Sequence, residues 1–243
     1  MNINNDKIIL EGIIEAQHNR IAPHLGSDEY FEIFSSEQIT KDIELSFDEI
    51  IDGSTGNSPG IDAIFTFING EYIQEDTDVT GLKNNIVIDL RILEAKNKNK
   101  FEEGAIDKLM SITDDLFDLS RELDELRPHY NEKILELTDR FRKAYKICSS
   151  YFPLLRVSFH YTSRGSHPSN NMRRKADILC QKFRGLFPKS ECSFTFHGAT
   201  ELLNLASQLP NSTISLSLKE NAISTEGETG YICLVKLSDY FNF

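Results

Sequence analysis

Basic side chains are in short supply in this sequence of 243 residues: 26 Lys and Arg stand against 38 Asp and Glu, and the formal net charge is −12. That balance argues against a protein that coats nucleic acid with its whole surface, although phosphate binding needs only a local basic patch. Cysteine is sparse as well. Cys148, Cys180, Cys192 and Cys233 are scattered, without the paired spacing of a zinc site and without His partners at ligand distance, so they read as reduced core thiols. No apolar run approaches the roughly 18 residues that cross a membrane. The N-terminal MNINNDKIILEG lacks the basic-then-apolar layout of a signal peptide. Together these absences predict a cytoplasmic protein with no membrane partner.

What is present is ordinary for a folded domain with a sizeable core: 40% hydrophobic and 26% charged residues. The charge is unevenly spread. Between Arg156 and Lys219 there are nine Lys or Arg (Arg156, Arg164, Arg173, Arg174, Lys175, Lys182, Arg184, Lys189, Lys219) against three acids (Asp177, Glu191, Glu201). This stretch is either a phosphate-facing surface or simply the solvated face of a helix, and composition does not choose between them.

The most informative segment runs from Gly60 to Lys108. Residues Ile61 to Ile68 are β-branched and aromatic, and Ile86 to Leu93 alternate apolar with Val, Asp and Arg, so both are predicted strands. Asp62 opens the first and Glu94 closes the second. Lys96, two residues further on, shares a face with Glu94. If the strands pair, Asp62 and Glu94 meet at one strand end, where two carboxylates make a hard-oxygen site suited to Mg²⁺. Polar residues at strand ends and a chance Glu-x-Lys are the plain alternative.

Lys98 and Lys100 and then an amphipathic helix (Phe101, Ala105, Ile106, Leu109, Ile112) follow in the order of the PD-(D/E)XK nuclease core, and the segment resembles that superfamily. GIDAIF, EAK before FEEGAIDKL, LLRVSFHYTS, FHGATELL and the closing GYICLVKLSDYFNF, in this order over nearly the whole chain, resemble the front part of abortive infection phage resistance (AIPR) proteins. Many members of that family carry Gln where this chain has Glu94, so the set here is the fuller one.

The resemblance implies an α/β fold of restriction-endonuclease type, a central mixed sheet flanked by helices. It implies a single nuclease domain over 1–243, with N-terminal helices in 1–52, a catalytic core in 60–118, a helical hairpin insertion in 119–151 and the rest of the sheet in 154–243. It also implies an endonuclease of anti-phage defence in which Asp62, Glu94 and the backbone carbonyl of Ala95 hold Mg²⁺ or Mn²⁺. Lys96 would position or deprotonate the attacking water. A third acid is expected from the helix before the first strand: Glu32 in YFEIF looks like that residue, and Glu49 is its rival. DNA is the expected partner, with RNA left open. Self-association through the helical insertion is a further expectation, as is a C-terminal remainder beyond SDYFNF. The reading that stays open beside the enzyme is a silent nuclease-fold module for binding or assembly.

Elsewhere, helices are predicted over Asp6–Ala22, ending at Pro23, and from Ser27 as N-cap. Helical pattern continues from Phe101 to Tyr151 with a break near Pro128, the stripe Leu116, Leu119, Leu123 and Leu126 facing inward. GSTGNSPG at 53–60 is a turn-rich loop, and the acidic 69–85 loop is predicted to be a hairpin-like excursion. Leu154–Ser163, a basic helix over Ser169–Phe187, strand Glu191–His197 and helix Ala199–Ser207 complete a crossover that predicts parallel strands. Thr213–Leu218 and Tyr231–Leu237 are the last predicted strands. His160 and His197 fall in strands with no acid partner visible, and read as core or surface residues.

Overall fold

In the computed structural model, residues 5–56, 60–79, 81, 85–208, 219, 223–224, 231–232 and 234–236 are described. The chain divides into two compact units, Met1–Gln208 and Leu209–Phe243. The first is an α/β unit whose sheet has five strands in the order β2-β1-β3-β4-β5. Strand β1 (Ala63–Ile68) turns at Asn69 and Gly70, both at positive φ, into the short β2 (Glu71–Tyr72). Asn-Gly suits the left-handed dihedrals of a two-residue hairpin turn. Strand β3 (Val87–Lys96) runs antiparallel to β1 and parallel to β4 (Leu154–Ser163), which is itself parallel to β5 (Glu191–His197).

Helices α1 (Asn5–Ile21), α2 (Ser27–Ile39) and the short α3 (Phe47–Gly53) precede the sheet. Helices α4 (Glu103–Leu116) and α5 (Glu132–Cys148) lie between β3 and β4, α6 (Asn170–Leu186) between β4 and β5, and α7 (Ala199–Ser207) after β5. The central strand presents apolar side chains to both of its faces, with Asp89 and Arg91 half-buried on one of them. Ile88, Leu90 and Ile92 pack with Ile112 of α4, Phe141 of α5 and Phe183 of α6. Leu93 and Ala95 face the other way, onto Phe31 and Phe34 of α2 and Leu202 of α7.

Two ion-pair groups fix helices to this frame. Asp52 of α3 accepts from Arg140 and Lys133 of α5 and from the Tyr72 hydroxyl. Arg91 of β3 grips Asp42 with both terminal nitrogens at 2.6 and 2.7 Å, which ties the sheet to the segment after α2.

The expected helical hairpin over 119–151 is corrected. Helix α4 stops at Leu116, residues 117–131 contain only a 3₁₀ turn at Leu123–Leu126, and Leu119 is exposed. The cause is a side chain distant in sequence: Arg142 donates to the carbonyls of Leu116, Asp118 and Arg121, satisfying the acceptors that a continuing helix would have used. One helix, α5, remains, and its Ile134, Leu137 and Phe141 lie in the protein's own core. The N-cap of α2 is Gly26 and not Ser27.

Cys148 and Cys180 are buried and Cys192 half-buried, all as free thiols. In the second unit Ile223–Ser224 (β6) pairs antiparallel with Tyr231–Ile232 (β7). The predicted strand Thr213–Leu218, residues 57–59 of the turn-rich loop and Cys233 lie outside the described residues. Among the described residues no helix is long and apolar enough to cross a membrane.

Candidate metal centre

The register of β1 against β3 sets Ala63 opposite Leu93, so the residue before β1, Asp62, stands beside Glu94. Its backbone is clamped there: the Asp62 N–H donates to the Leu93 carbonyl at 2.8 Å, and the Thr55 N–H donates to the Asp62 carbonyl at 2.9 Å. Gly60 makes the approach with φ +89°, and a Cβ there would lie 2.8 Å from Ile112 Cδ1. Only glycine fits both the dihedral and the gap.

Asp62, Glu94 and Lys96 come together on one face at this end of the sheet. Lys96 Nζ lies 2.9 Å from Glu94 Oε1 and 3.4 Å from Asp62 Oδ2. Asp62 Oδ2 also accepts from the Ala95 N–H at 2.6 Å. Glu94 is fully buried and Asp62 nearly so. Beyond this ion pair with Lys96, neither buried Glu94 carboxylate oxygen has a hydrogen-bond partner among the described residues.

The electrostatics follow from burying two acids beside one base. Burial pushes the Glu94 carboxyl up, the charge of Asp62 pushes it further, and Lys96 only partly offsets them, leaving it at about 7. Asp62 is also raised, chiefly by burial, against the pull of Lys96 and the Ala95 N–H. For Lys96 burial acts downward, but Asp62 and Glu94 outweigh it and hold the ammonium above the usual lysine range. It is therefore charged in the protein alone.

Glu32 belongs to the same field. Its carboxyl is raised to about 8 by burial first and then by Asp62 and Glu94, with Lys96 opposing. Its helix is pinned to the site by Asn97, which donates to Asp28 at 2.8 Å, and by Thr162, which donates to Ser35 at 2.9 Å. Glu49 is elsewhere engaged: it closes the capping box of α3, accepting from the Ser46 N–H and hydroxyl.

Among the described residues no three His, Cys, Asp or Glu side chains form a ready-made metal group. A divalent ion at Asp62 and Glu94 would therefore draw its remaining ligands from main-chain carbonyl, water and substrate oxygens, as Mg²⁺ commonly does. The buried oxygens of Glu94, met only by the Lys96 ammonium, fit such an ion.

One pair escaped sequence reading. His160 Nδ1 and His197 Nε2 lie 2.9 Å apart with stacked rings on β4 and β5. Burial lowers both, His160 well below its ordinary value and His197 to about 4, so both are neutral. Their 37-residue separation gave no local signal. No protein-family model, no curated protein and no solved structure matches this chain.

Proposed function

We propose that this chain is a metal-dependent nuclease domain of PD-(D/E)XK type, cutting phosphodiester bonds of DNA in anti-phage defence, as its resemblance to AIPR proteins implies. The observation that carries the reading is the convergence of Asp62, Glu94 and Lys96 on one face where antiparallel strands end. A sheet in the order β2-β1-β3-β4, with helices on both faces and the Glu-x-Lys at the end of its central strand, supports it further.

Asp62 and Glu94, with the Ala95 carbonyl, would hold Mg²⁺ or Mn²⁺, which when bound polarises the scissile phosphate and neutralises developing charge. Glu32, raised to about 8, carries a proton at neutral pH in the metal-free protein and would add negative charge beside the site on giving it up. Lys96, held charged by its two neighbours, donates hydrogen bonds to water or phosphate oxygen; positioning, and not proton abstraction, is its role in the resting protein.

One observation favours the silent-module reading. Lys96 already ion-pairs with both carboxylates, as in a purely structural ion cluster. The two separate on a cleavage assay with plasmid, single-stranded DNA and RNA in Mg²⁺ or Mn²⁺. The nuclease reading expects strand scission that EDTA abolishes; intact substrate in every arm would retire it.

A further inference from the structure

Glu94, Tyr161 and Phe196 form a row across three parallel strands, each the register partner of the next. Adjacent strands lie about 4.8 Å apart, so Phe196 stands about 10 Å along the sheet from Glu94, on the same face. Phe101 meets both aromatic rings edge-on, at 5.0 Å from Tyr161 and 5.5 Å from Phe196, and fixes their orientation. Beyond Phe196 the sheet ends. Its edge opens into a pocket of about 230 Å³ whose walls include Ser166, His167, Arg173, Phe194, Phe196 and Glu201.

The mouth of this pocket is joined to the Lys96 end of β3. The Arg164 N–H and the Ser163 hydroxyl both donate to the Lys98 carbonyl at 3.0 Å. Gly165 then lies against the next turn, where a Cβ would fall 2.7 Å from Lys100 Cα, and its carbonyl accepts from the Ala199 N–H at 3.0 Å. The loop that leaves the carboxylate site and the loop that lines the pocket are thus one bonded ledge.

The lining has the chemistry of a nucleotide. Phe194 and Phe196 are half-buried and give an aromatic wall. Arg173 and His167 are exposed at the rim, and neither forms an ion pair among the described residues, unlike Lys175 and Lys182 on the same helix. The one acid, Glu201, is already committed to the Gly198 N–H at 3.0 Å. The volume is below the roughly 300–1,000 Å³ of pockets for drug-sized ligands, so it takes one small planar unit.

We propose that this pocket is a subsite for an unpaired nucleotide, with its base against Phe194 and Phe196 and its phosphate on Arg173 and His167. A base held in a duplex cannot present its face to such a wall without leaving the stack. Binding through aromatic faces and a cation is instead typical of single strands. Coupled to the carboxylate edge, the pocket directs cutting to single-stranded or frayed nucleic acid; that second step rests on the nuclease reading, whereas the binding does not.

The test is fluorescence anisotropy with labelled single-stranded DNA, single-stranded RNA and duplex DNA of one length, in EDTA at fixed salt. The parent is compared with Arg173→Gln and Phe194→Leu, and each protein is melted alongside. At least one single strand should bind about tenfold or more tighter than the duplex, and each variant should lose about tenfold for it. The DNA and RNA arms identify the strand. Arg173 is exposed, so Arg173→Gln carries the test even if Phe194→Leu melts early. Equal binding of strand and duplex, or an unchanged Arg173→Gln, overturns the subsite. Selective binding by a parent that cuts nothing keeps the subsite and removes the nuclease reading; cutting with no effect of Arg173→Gln on binding does the reverse.

Discussion

Asp62 Oδ2 accepts a hydrogen bond from the backbone N–H of Ala95 at 2.6 Å, across the junction of two strands. That bond holds the first acid beside the second, where the pairing of Ala63 with Leu93 has brought it. With Glu94 buried beside it, the protein holds two carboxyl groups against one ammonium. Much of the expected behaviour follows from this imbalance.

Glu94→Gln should stabilise the metal-free protein. It removes one buried negative charge and leaves Asp62 paired with Lys96, a change worth about 1–2 kcal/mol and about 2–8 °C in Tm. The sign follows from a folded carboxyl raised from its ordinary 4.5 to about 7: the penalty is absent below the ordinary value, grows as pH rises between the two because the folded state keeps a proton the unfolded chain has already lost, and is complete above about 7. The gain should therefore be larger at pH 8 than at pH 6. Thermal melts at both pH values check it, and a Glu94→Gln protein that melts below its parent at pH 8 would contradict the electrostatics.

Lys96→Met should act in the opposite direction. It strands two buried acids without their base, so the metal-free Tm should fall, and Mg²⁺ or Mn²⁺ should restore part of the loss. The expected cost is about 3 kcal/mol, since breaking a buried pair leaves an uncompensated charge. Side-by-side melts with and without the ion make the measurement.

Metal should raise the Tm of the parent, and more at pH 8 than at pH 6, because protons compete for Glu94 near 7 and Glu32 near 8. At a hundredfold excess over Kd the shift corresponds to about 2.7 kcal/mol. Glu94→Gln should show little of it.

The histidine pair sets a separate acid limit. Both rings are neutral in the fold, and His197 is lowered to about 4 from an ordinary value near 6.5. Its contribution is complete above that ordinary value and is lost as pH falls through the lowered one, about 2 kcal/mol of it between pH 7 and pH 5. His197→Gln should shed most of that dependence. Denaturant unfolding at the two pH values tests it.

The strands that build the site were legible because their chemistry is local. Apolar β-branched runs marked β1 and β3, and an acid at one end of each marked the centre; antiparallel pairing then brought Asp62 to Glu94. The parallel pair β4 and β5 was legible from its strand, helix, strand spacing. The end of α4 was not, because Arg142, 26 residues beyond Leu116 in sequence, caps it. Nor was the depth of Glu94: a charged residue at a strand end suggests a polar rim, yet its side chain is fully buried. The hairpin-like excursion expected for the 69–85 loop begins at Asn69–Gly70, the turn that pairs β1 with β2.

The most direct test of the account is the single-turnover cleavage rate of the parent, Glu94→Gln and Lys96→Met on single-stranded DNA in Mn²⁺, at a temperature where melts show all three folded. The account predicts metal-dependent cutting by the parent, a loss of about 10² to 10³ in rate for Lys96→Met, and a larger loss for Glu94→Gln despite its higher Tm. Variants that cut as fast as the parent would contradict it, and would make the Asp62, Glu94 and Lys96 cluster a structural ion group in a binding module.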